Sequence, residues 1–337
     1  MTKKLNFCIV GLGRAGHFHL SSIQSLDSCS LKYVVDPALD GGTSLPAGVS
    51  LLRDLKPALT DPELDAVVIA TPTQFHFQNI CDALKAGKHV FTEKPLGKTS
   101  EEIKTCFDLA EKLGLALYLG FQRRYDENFK ALKASITKIG QVRTLKMSSR
   151  DNPKPSLDYL KISGNIFHDM LIHDFDMLQF LLGYKIPESV SAFGHAYDPD
   201  IEAIPDLDTV VVNLKYDDGL ICTIDTSRTA VYGYDQRIEL FAEKGMSMAE
   251  NQRENTVEVH TSEGSLKAPA NYSFPQRYKA AYAEEIADFV NGIQNNRLYN
   301  VSRDQCLLGH LIADAAHEAV VTNAVVDFQK KYGKELS

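Results

Sequence analysis

The chain has 337 residues, of which 44% are hydrophobic, and this length and composition predict two globular domains, each with its own core. The formal net charge of -8 argues against nucleic-acid binding, and no run of about eighteen apolar residues predicts a membrane span. The six cysteines are scattered without a CxxC spacing, so we expect reduced thiols and a cytoplasmic protein.

The N-terminal segment predicts a strand, a glycine-rich turn and a helix. An apolar run ends at Gly11, and Gly11, Gly13 and Gly16 have the spacing of a dinucleotide-binding turn. In such a turn Gly11 makes the bend, Gly13 lets the backbone approach the pyrophosphate, and Gly16 lets the helix pack closely on the strand. A helical pattern starts near Ala15, and the free N–H groups at the start of this helix would bind the phosphates.

The second predicted strand, residues 31–36, ends in the carboxylate of Asp36. An acid at this place accepts hydrogen bonds from the adenosine ribose and repels a 2′-phosphate. Residues 37–40 contain no lysine or arginine that would receive such a phosphate. We therefore predict NAD rather than NADP as the cofactor. The alternative, a doubly wound domain whose turn binds nothing, is disfavoured by the acid at the strand end.

Two further short strands, residues 66–70 and 89–92, end in polar segments. In open α/β sheets, ligands bind outside the carboxyl ends of the strands. A solvated turn is the alternative for a Glu-Lys-Pro tripeptide, but its position directly after a parallel strand favours a functional lysine. The candidate residues after these two strands are Thr71, Pro72, Thr73 and His76, followed by Glu93, Lys94 and Pro95.

Residues 163–174 combine an acid and an imidazole within an apolar helical pattern. Asp169 and His173 are four residues apart, so a single helix would place them on one face. Histidine is the usual proton acceptor near neutral pH. A core histidine and an aspartate in a first helical turn are the alternative, which the nicotinamide signals upstream disfavour.

The C-terminal part of the chain predicts strands joined by short turns, and hence a mainly antiparallel sheet. Helices are predicted at residues 278–291 and 304–330. The predicted fold class is therefore α/β, with an N-terminal Rossmann dinucleotide-binding domain at 1–122. An α+β domain with a large open sheet follows at 123–337. The predicted strands are residues 190–196, 209–216, 220–226 and 237–242, with a hairpin turn at 217–219.

Together these motifs resemble the Gfo/Idh/MocA oxidoreductase family, in the family's order and over almost the whole chain. Residues 120–126, 150–153 and 169–177 most resemble the myo-inositol 2-dehydrogenases of that family. There are two departures: Gly164-Asn165 replaces a pair of glycines, and Gln122 replaces a methionine. The motifs are Gly11-x-Gly13-x-x-Gly16, Ala70-Thr-Pro-Thr73-x-x-His76, Glu93-Lys94-Pro95 and Gly164-x(4)-Asp169-x(3)-His173-Asp174.

The resemblance implies oxidation of a secondary hydroxyl of a cyclic polyol, myo-inositol to 2-keto-inositol, with NAD. It implies that His173 is the base, that Lys94 stabilises negative charge on the oxygen, and that Asp169 binds a neighbouring hydroxyl. It also implies a six-stranded sheet in the second domain and a homo-oligomer, a dimer or tetramer, formed through that sheet. We expect no metal site, because His17 and His19 have no matching set of ligands in the sequence.

Two other functions remain open. One is a dehydrogenase of the same family for an aldose, a sugar acid or a dihydrodiol, and the other is a non-catalytic NAD-sensing regulator. The chain keeps both Lys94 and His173, which disfavours the regulator. The predicted cofactor contacts are Gly11, Gly13, Arg14, Ala15, Gly16, Asp36, Thr71, Pro72, Thr73, His76, Glu93, Lys94 and Gln122. The predicted substrate contacts are Lys94, Arg124, Asn152, Asp169, His173, Tyr232 and Tyr278.

Overall fold

The structure, a computed structural model, describes residues 4–39 and 42–336. The chain divides into two compact units. The first unit contains the chain up to Tyr125 together with Ala280–Leu307, and the second contains Asp126–Lys279 together with the chain from Leu308 onward. Within the described ranges, no helix is long and apolar enough to cross a membrane.

A parallel sheet of six strands forms the centre of the first unit, in the order β3-β2-β1-β4-β5-β6. This is the strand order of a Rossmann fold, and the predicted dinucleotide-binding domain is confirmed. The order reverses between β1 and β4, which creates a crevice at their carboxyl ends. The strands are β1 (Leu5–Val10), β2 (Cys29–Val35), β3 (Ser50–Leu52), β4 (Ala66–Ile69), β5 (His89–Thr92) and β6 (Leu117–Leu119). The helices between them are α1 (Arg14–Gln24), α2 (Lys56–Leu59), α3 (His76–Lys85) and α4 (Ser100–Leu113).

A sheet of seven strands forms the second unit, in the order β12-β11-β7-β10-β9-β8-β15. Only the pair of β10 with β7 is parallel, so the predicted, mainly antiparallel sheet is confirmed. The strands are β7 (Val142–Arg150), β8 (Ser189–His195), β9 (Thr209–Lys215), β10 (Ile221–Ser227), β11 (Asp235–Ala242), β12 (Gly245–Ala249) and β15 (Val326–Asp327), with a separate hairpin of β13 (Glu258–Thr261) and β14 (Gly264–Lys267). The helices are α5 (Glu127–Ile139), α6 (Leu157–Ser163), α7 (Ile166–Asp169), α8 (Ile172–Leu182), α9 (Pro199–Glu202), α10 (Phe274–Arg277), α11 (Lys279–Gln294), α12 (Arg303–Thr322) and α13 (Phe328–Tyr332).

The second sheet has one strand more than the six that the family resemblance implied, and the additional strand is β15. It has only two residues and pairs with β8 through Val326 and Val190. The predicted helix at 304–330 therefore ends earlier, at Thr322, because Asn323 adopts a left-handed conformation with a φ of 50°. A strand and the short helix α13 replace the last part of that predicted helix.

The sheet of the second unit is amphipathic across its thickness. In β9, Val210, Val212 and Leu214 are buried, whereas Val211 between them is 37% exposed. A strand at these residues is as predicted, and the alternation of burial is the period of two of a strand with one buried face. The hairpin turn before β10 is also as predicted, since Gly219 has a φ of 86° and its N–H donates to the carbonyl of Tyr216.

The chain returns to the first unit at Ala280–Leu307. These residues were predicted in the second domain, at 123–337, but by compactness they belong to the first unit. The reason is apolar packing: Ile286 and Phe289 of α11 are fully buried in one cluster with Phe7 and Phe91 of the central strands. A core of this kind lowers the free energy of the unit by removing apolar area from water.

The predicted single helix carrying Asp169 and His173 is interrupted in the structure. Helix α7 ends at Asp169, and the N–H groups of Met170 and Leu171 both donate to the carbonyl of Ile166. The N–H of His173 then donates to Met170 rather than to Asp169. The regular i,i+4 repeat that predicted a shared face is therefore absent between the two residues.

Candidate active site

The glycine turn after β1 requires its glycines. Gly11 has a φ of 88°, and a Cβ there would lie 2.7 Å from the carbonyl oxygen of Ala70. A Cβ on Gly16 would lie 2.1 Å from the carbonyl oxygen of Gly11, so only glycine lets α1 pack this closely. Around Gly13 no described heavy atom lies within 4 Å of such a position, so space for a ligand remains beside the backbone.

Asp36 connects the end of β2 to this turn. Its Oδ2 accepts the N–H of Leu12 over 2.9 Å, and its Oδ1 accepts the N–H of Ala38 over 2.9 Å. The half-buried carboxylate is thereby held beside the glycine turn, where a ribose would lie. The open space at Gly13, the first N–H groups of α1 and this carboxylate together fit a dinucleotide with an unmodified ribose.

His76 links the segments that follow β4 and β5. Its Nδ1 lies 2.7 Å from the carbonyl oxygen of Pro95, and its Nε2 lies 2.8 Å from that of Thr71. Burial lowers the pKa of this imidazole. Because both ring nitrogens are directed at backbone carbonyls, His76 holds these two segments together, and its contact with a cofactor stays a prediction.

Lys94 follows β5 and precedes a cis peptide bond to Pro95. Its backbone N–H donates to Oε2 of Glu93 over 3.3 Å, while Oε1 of Glu93 lies 2.7 Å from Nε2 of His19. Burial raises the pKa of Glu93, but His19 and Lys94 outweigh this effect and lower it. Glu93 is therefore a carboxylate at neutral pH, and it holds the backbone of the predicted catalytic lysine.

A second buried acid lies beside this pair. Glu285 is fully buried, and ligand atoms of Glu285, Glu93 and His19 all lie within 4.8 Å of one another. Burial and the neighbouring Glu93 raise the pKa of Glu285 well above its usual value, which favours the neutral form of this acid. Glu285 was not predicted as a site residue, because it lies in an amphipathic helix far from Glu93 in the chain.

Asp169 is held in the second unit by two donors. The hydroxyl of Tyr159 donates to its Oδ1 over 2.7 Å, and Nη1 of Arg228 donates to its Oδ2 over 3.0 Å. Nη2 of Arg228 lies 2.7 Å from Oδ2 of Asp206. Burial lowers the pKa of the Arg228 guanidinium, but the two carboxylates outweigh it and raise the pKa. Asp169 is thus a charge-compensated hydrogen-bond acceptor.

Arg228 and Tyr159 were not predicted from the sequence. Arg228 directly follows β10 and is fully buried. A buried guanidinium requires carboxylate partners, so an arginine at the end of a half-buried strand is a signal in itself. The partners could not be read from the sequence, because Asp169 lies 59 positions away.

His173 is the second residue of α8 and is half-buried. Asp169 and His173 belong to the second unit and are separated only by the interruption at Met170 and Leu171, whereas Lys94 belongs to the first unit. Upstream of both, Gly164 has a φ of 92°, and Asn165 caps α7. The joint action of the three predicted catalytic residues stays a prediction.

Three predicted substrate contacts have structural partners in the second unit. The side-chain amide of Asn152 donates to the carbonyl oxygen of Tyr272 over 2.8 Å. The hydroxyl of Tyr232 donates to Asp235 over 2.6 Å. Tyr278 is fully buried, and its ring lies 4.7 Å from the guanidinium carbon of Arg277. Their role in substrate binding stays a prediction. The substrate contact of Arg124 and the cofactor contact of Gln122, both in the 3₁₀ helix Gln122–Tyr125, also stay predictions.

The amino-acid sequence of the chain is similar to those of known oxidoreductases. A family model described as an oxidoreductase family with an NAD-binding Rossmann fold matches residues 5–121, and the GFO/IDH/MocA C-terminal domain matches residues 129–248. The chain is 35% identical to an uncharacterized oxidoreductase, YrbE, of Bacillus subtilis, over 98% of both chains. It is 37% identical to inositol 2-dehydrogenase of Rhizobium meliloti, over 94% of this chain and 97% of that one.

A solved structure is similar over the same extent. The crystal structure of scyllo-inositol dehydrogenase from Lactobacillus casei, with NAD(H) and scyllo-inositol bound, matches with a TM-score of 0.87 and 30% identity. The match covers 97% of this chain and 99% of that chain. The similarity therefore includes both units.

Proposed function

The chain belongs to the Gfo/Idh/MocA oxidoreductase family, and we propose that within it the chain is an inositol dehydrogenase. The family's Rossmann domain is NAD-binding, and NAD is the cofactor of this chain. The proposed reaction oxidises one secondary hydroxyl of myo-inositol to the ketone of 2-keto-inositol. Support comes from inositol dehydrogenases that align over nearly the full length of the chain.

The structural observation that most supports the proposal is that two side chains donate hydrogen bonds to the carboxylate of Asp169. A charge-compensated acid, held by Tyr159 and Arg228, is suited to accept a hydrogen bond from a neutral hydroxyl. A cyclic polyol presents several such hydroxyls at once, and a pocket must pair each of them, because an unpaired polar group in a pocket is costly. Asp169 would therefore orient the ring and not take the proton.

The proton passes to His173 in the proposed mechanism. Alcohol oxidation removes a proton from oxygen and a hydride from carbon, and a neutral imidazole is a suitable base near neutral pH. Lys94 as an ammonium stabilises the negative charge that develops on the same oxygen. Its backbone is held by the Glu93 carboxylate, which keeps the lysine at the carboxyl end of β5. NAD, when bound at the glycine turn, supplies the hydride acceptor.

A panel of cyclitols and sugars tests the proposal, with NADH formation followed by absorbance. Myo-inositol should reduce NAD, and acyclic polyols should be much poorer substrates, because pocket groups arranged for ring hydroxyls are left unpaired. Activity with an aldose, a sugar acid or a dihydrodiol, and none with inositols, would identify a different substrate in the same family. Absence of turnover with every compound, despite NAD binding, would favour a regulator.

We also propose a homo-oligomer, a dimer or tetramer, formed through the outer face of the second sheet. Phe193 of β8 and Ile221 of β10 are 64% and 48% exposed on that sheet, and Phe241 of β11 and Met246 of β12 pair there at 46% and 50% exposure. Apolar side chains exposed in such number on one face favour association. Phe193→Asp combined with Phe241→Asp should lower the mass measured by light scattering, whereas Val257→Asp outside this sheet should not.

The proposed location is the cytoplasm. All six cysteines lie in the described part of the chain, and they are buried free thiols. Free thiols persist where the compartment is reducing.

A further inference from the structure

Three side chains of metal-binding types meet beside α7 in the second unit. Ligand atoms of His168, His310 and Asp314 all lie within 4.8 Å of one another. Nε2 of His168 is 3.0 Å from Oδ1 of Asp314, and Nε2 of His310 is 3.7 Å from Oδ2 of Asp314. His310 and Asp314 lie one turn apart on α12, and none of the three takes part in the proposed reaction.

The tautomer of His168 follows from the cap of α7. The side-chain Oδ1 of Asn165 accepts the backbone N–H groups of Phe167 and His168, both over 3.1 Å, so this atom is the oxygen of the amide. Nδ1 of His168 lies 2.9 Å from the same oxygen and must donate to it. In the neutral ring the proton is therefore on Nδ1, and Nε2 presents its lone pair to Asp314.

A lone pair and a carboxylate oxygen 3.0 Å apart are two acceptors that need a cation between them. Either a second proton on His168 or a metal ion meets this need. The second imidazole, that of His310, favours the metal, because two imidazoles and a carboxylate are a frequent protein ligand set for Zn²⁺. The hydrogen bond from Nδ1 to Asn165 also orients the ring, as outer partners do in metal sites.

We propose that His168, His310 and Asp314 bind one Zn²⁺ ion, with water completing the coordination. Asp314 is 39% exposed and gives the ion a path from solvent, whereas His310 is nearly buried. The ion fastens α7 to α12. Since Asp169 directly follows His168, the site stabilises one end of the segment that carries the substrate-orienting acid. The proposal does not depend on the proposed substrate.

The test is calorimetric titration of ZnCl₂ into the full chain after removal of metals with a chelator. One Zn²⁺ per chain is expected, and the melting temperature should rise with Zn²⁺ concentration, because the ion binds the folded state. Co²⁺ in its place should give the visible absorption of a four-coordinate nitrogen and oxygen site. His310→Gln and Asp314→Asn should each remove this binding, while His195→Gln, at an exposed histidine, should leave it intact.

Two results would overturn the proposal. The first is no Zn²⁺ uptake by the unaltered chain, which would leave His168 and Asp314 as a protonated ion pair. The second is equal uptake by the unaltered chain and by both site variants, which would assign the ion to other residues, with His19, Glu93 and Glu285 the next group to test. Circular dichroism of each variant establishes that it is folded, and the Co²⁺ spectrum of the unaltered chain does not depend on the variants.

Discussion

Arg228 donates a hydrogen bond to Asp169 over 3.0 Å, between side chains that are 0% and 8% exposed. The same guanidinium is paired with Asp206, so one buried cation balances two acids. The position of the proposed substrate-orienting acid thus depends on a residue 59 positions later in the chain. A change at Arg228 would alter both the stability of the second unit and the charge near Asp169.

Arg228→Met should lower the free energy of unfolding by roughly 3 to 5 kcal/mol, because it leaves two buried carboxylates without their counter-charge. Urea unfolding measures this difference. Arg143→Met, at an exposed position of β7, is the control and should change the free energy by no more than about 0.5 kcal/mol. A stable Arg228→Met variant would mean that Asp169 and Asp206 are compensated in another way.

His173→Ala should lower kcat roughly 100- to 10,000-fold, or about 3 to 5 kcal/mol of barrier, because it removes the proposed base. The dissociation constant for NAD should stay near that of the unaltered protein. The acidic limb of the pH–rate profile should also be lost, since oxidation needs a neutral imidazole. His195→Ala at an exposed histidine is the control. Near-normal turnover without His173 would exclude it as the base.

Lys94→Ala should lower kcat at least as much as His173→Ala, because it removes the cation proposed to stabilise the oxygen that becomes negative. Lys94→Arg should not restore full activity, since a planar guanidinium does not replace a compact ammonium. In the double variant, the loss of kcat should be smaller than the two single losses combined, because both groups are proposed to act on one hydroxyl. Steady-state kinetics measures all three, with the exposed Lys98→Ala as a control in the same segment. Strict additivity would mean that the two residues act independently.

Asp36→Ser should reduce the preference of the protein for NAD over NADP, mainly because NAD should bind more weakly. The carboxylate lies beside the glycine turn through its bond to Leu12 and would repel a 2′-phosphate. The ratio of kcat/KM for the two cofactors measures the effect. Equal or better use of NADP by the unaltered protein would show that Asp36 does not select the cofactor.

Glu285→Gln should change how stability depends on pH. The pKa of Glu285 is raised in the folded chain, so above its unfolded value the folded state holds a proton that the unfolded state has lost. The free energy of unfolding therefore falls as pH rises, by up to about 1.4 kcal/mol per pH unit, until the folded pKa is passed. Urea unfolding between about pH 5 and pH 8 should show a flatter profile for the variant.

Glu284→Gln, at the exposed neighbouring position, is the matched control for this experiment. The free energy of unfolding of this variant should change with pH as steeply as that of the unaltered protein. If Glu285→Gln and Glu284→Gln gave the same slope as the unaltered chain, Glu285 would be ionised in the folded state, and the neutral acid beside Glu93 would be excluded.

The features that could be predicted from the sequence are those that a short segment determines. Gly11, with its positive φ, and Gly16, which packs on the carbonyl of Gly11, are required by local backbone geometry, and Asp36 directly follows β2. The strand β9 is predicted by its run of β-branched residues, but which of Val210, Val211 and Val212 is buried cannot be predicted, because all three are valines. Each of these signals lies within a few residues.

The features that escaped prediction depend on partners distant in the chain. His19 and Glu93 are 74 positions apart, and no local pattern joins them. The interruption between Asp169 and His173 was missed for a different reason, since apolar periodicity continues through Met170 and Leu171 while the backbone hydrogen bonds shift. The hydrophobic pattern indicates which side chains are buried, but it does not reveal a change in the backbone hydrogen bonds.

The return of Ala280–Leu307 to the first unit has a consequence for synthesis on the ribosome. The strands of that unit emerge early, but Ile286 and Phe289, which complete its apolar cluster, follow Tyr125 by about 160 residues. At roughly 5 to 20 residues per second, the nascent sheet waits on the order of ten seconds or more for them. During this interval Phe7 and Phe91 lack the apolar contacts that Ile286 and Phe289 later provide. We therefore expect a chaperone to be most useful before these two residues have been synthesised.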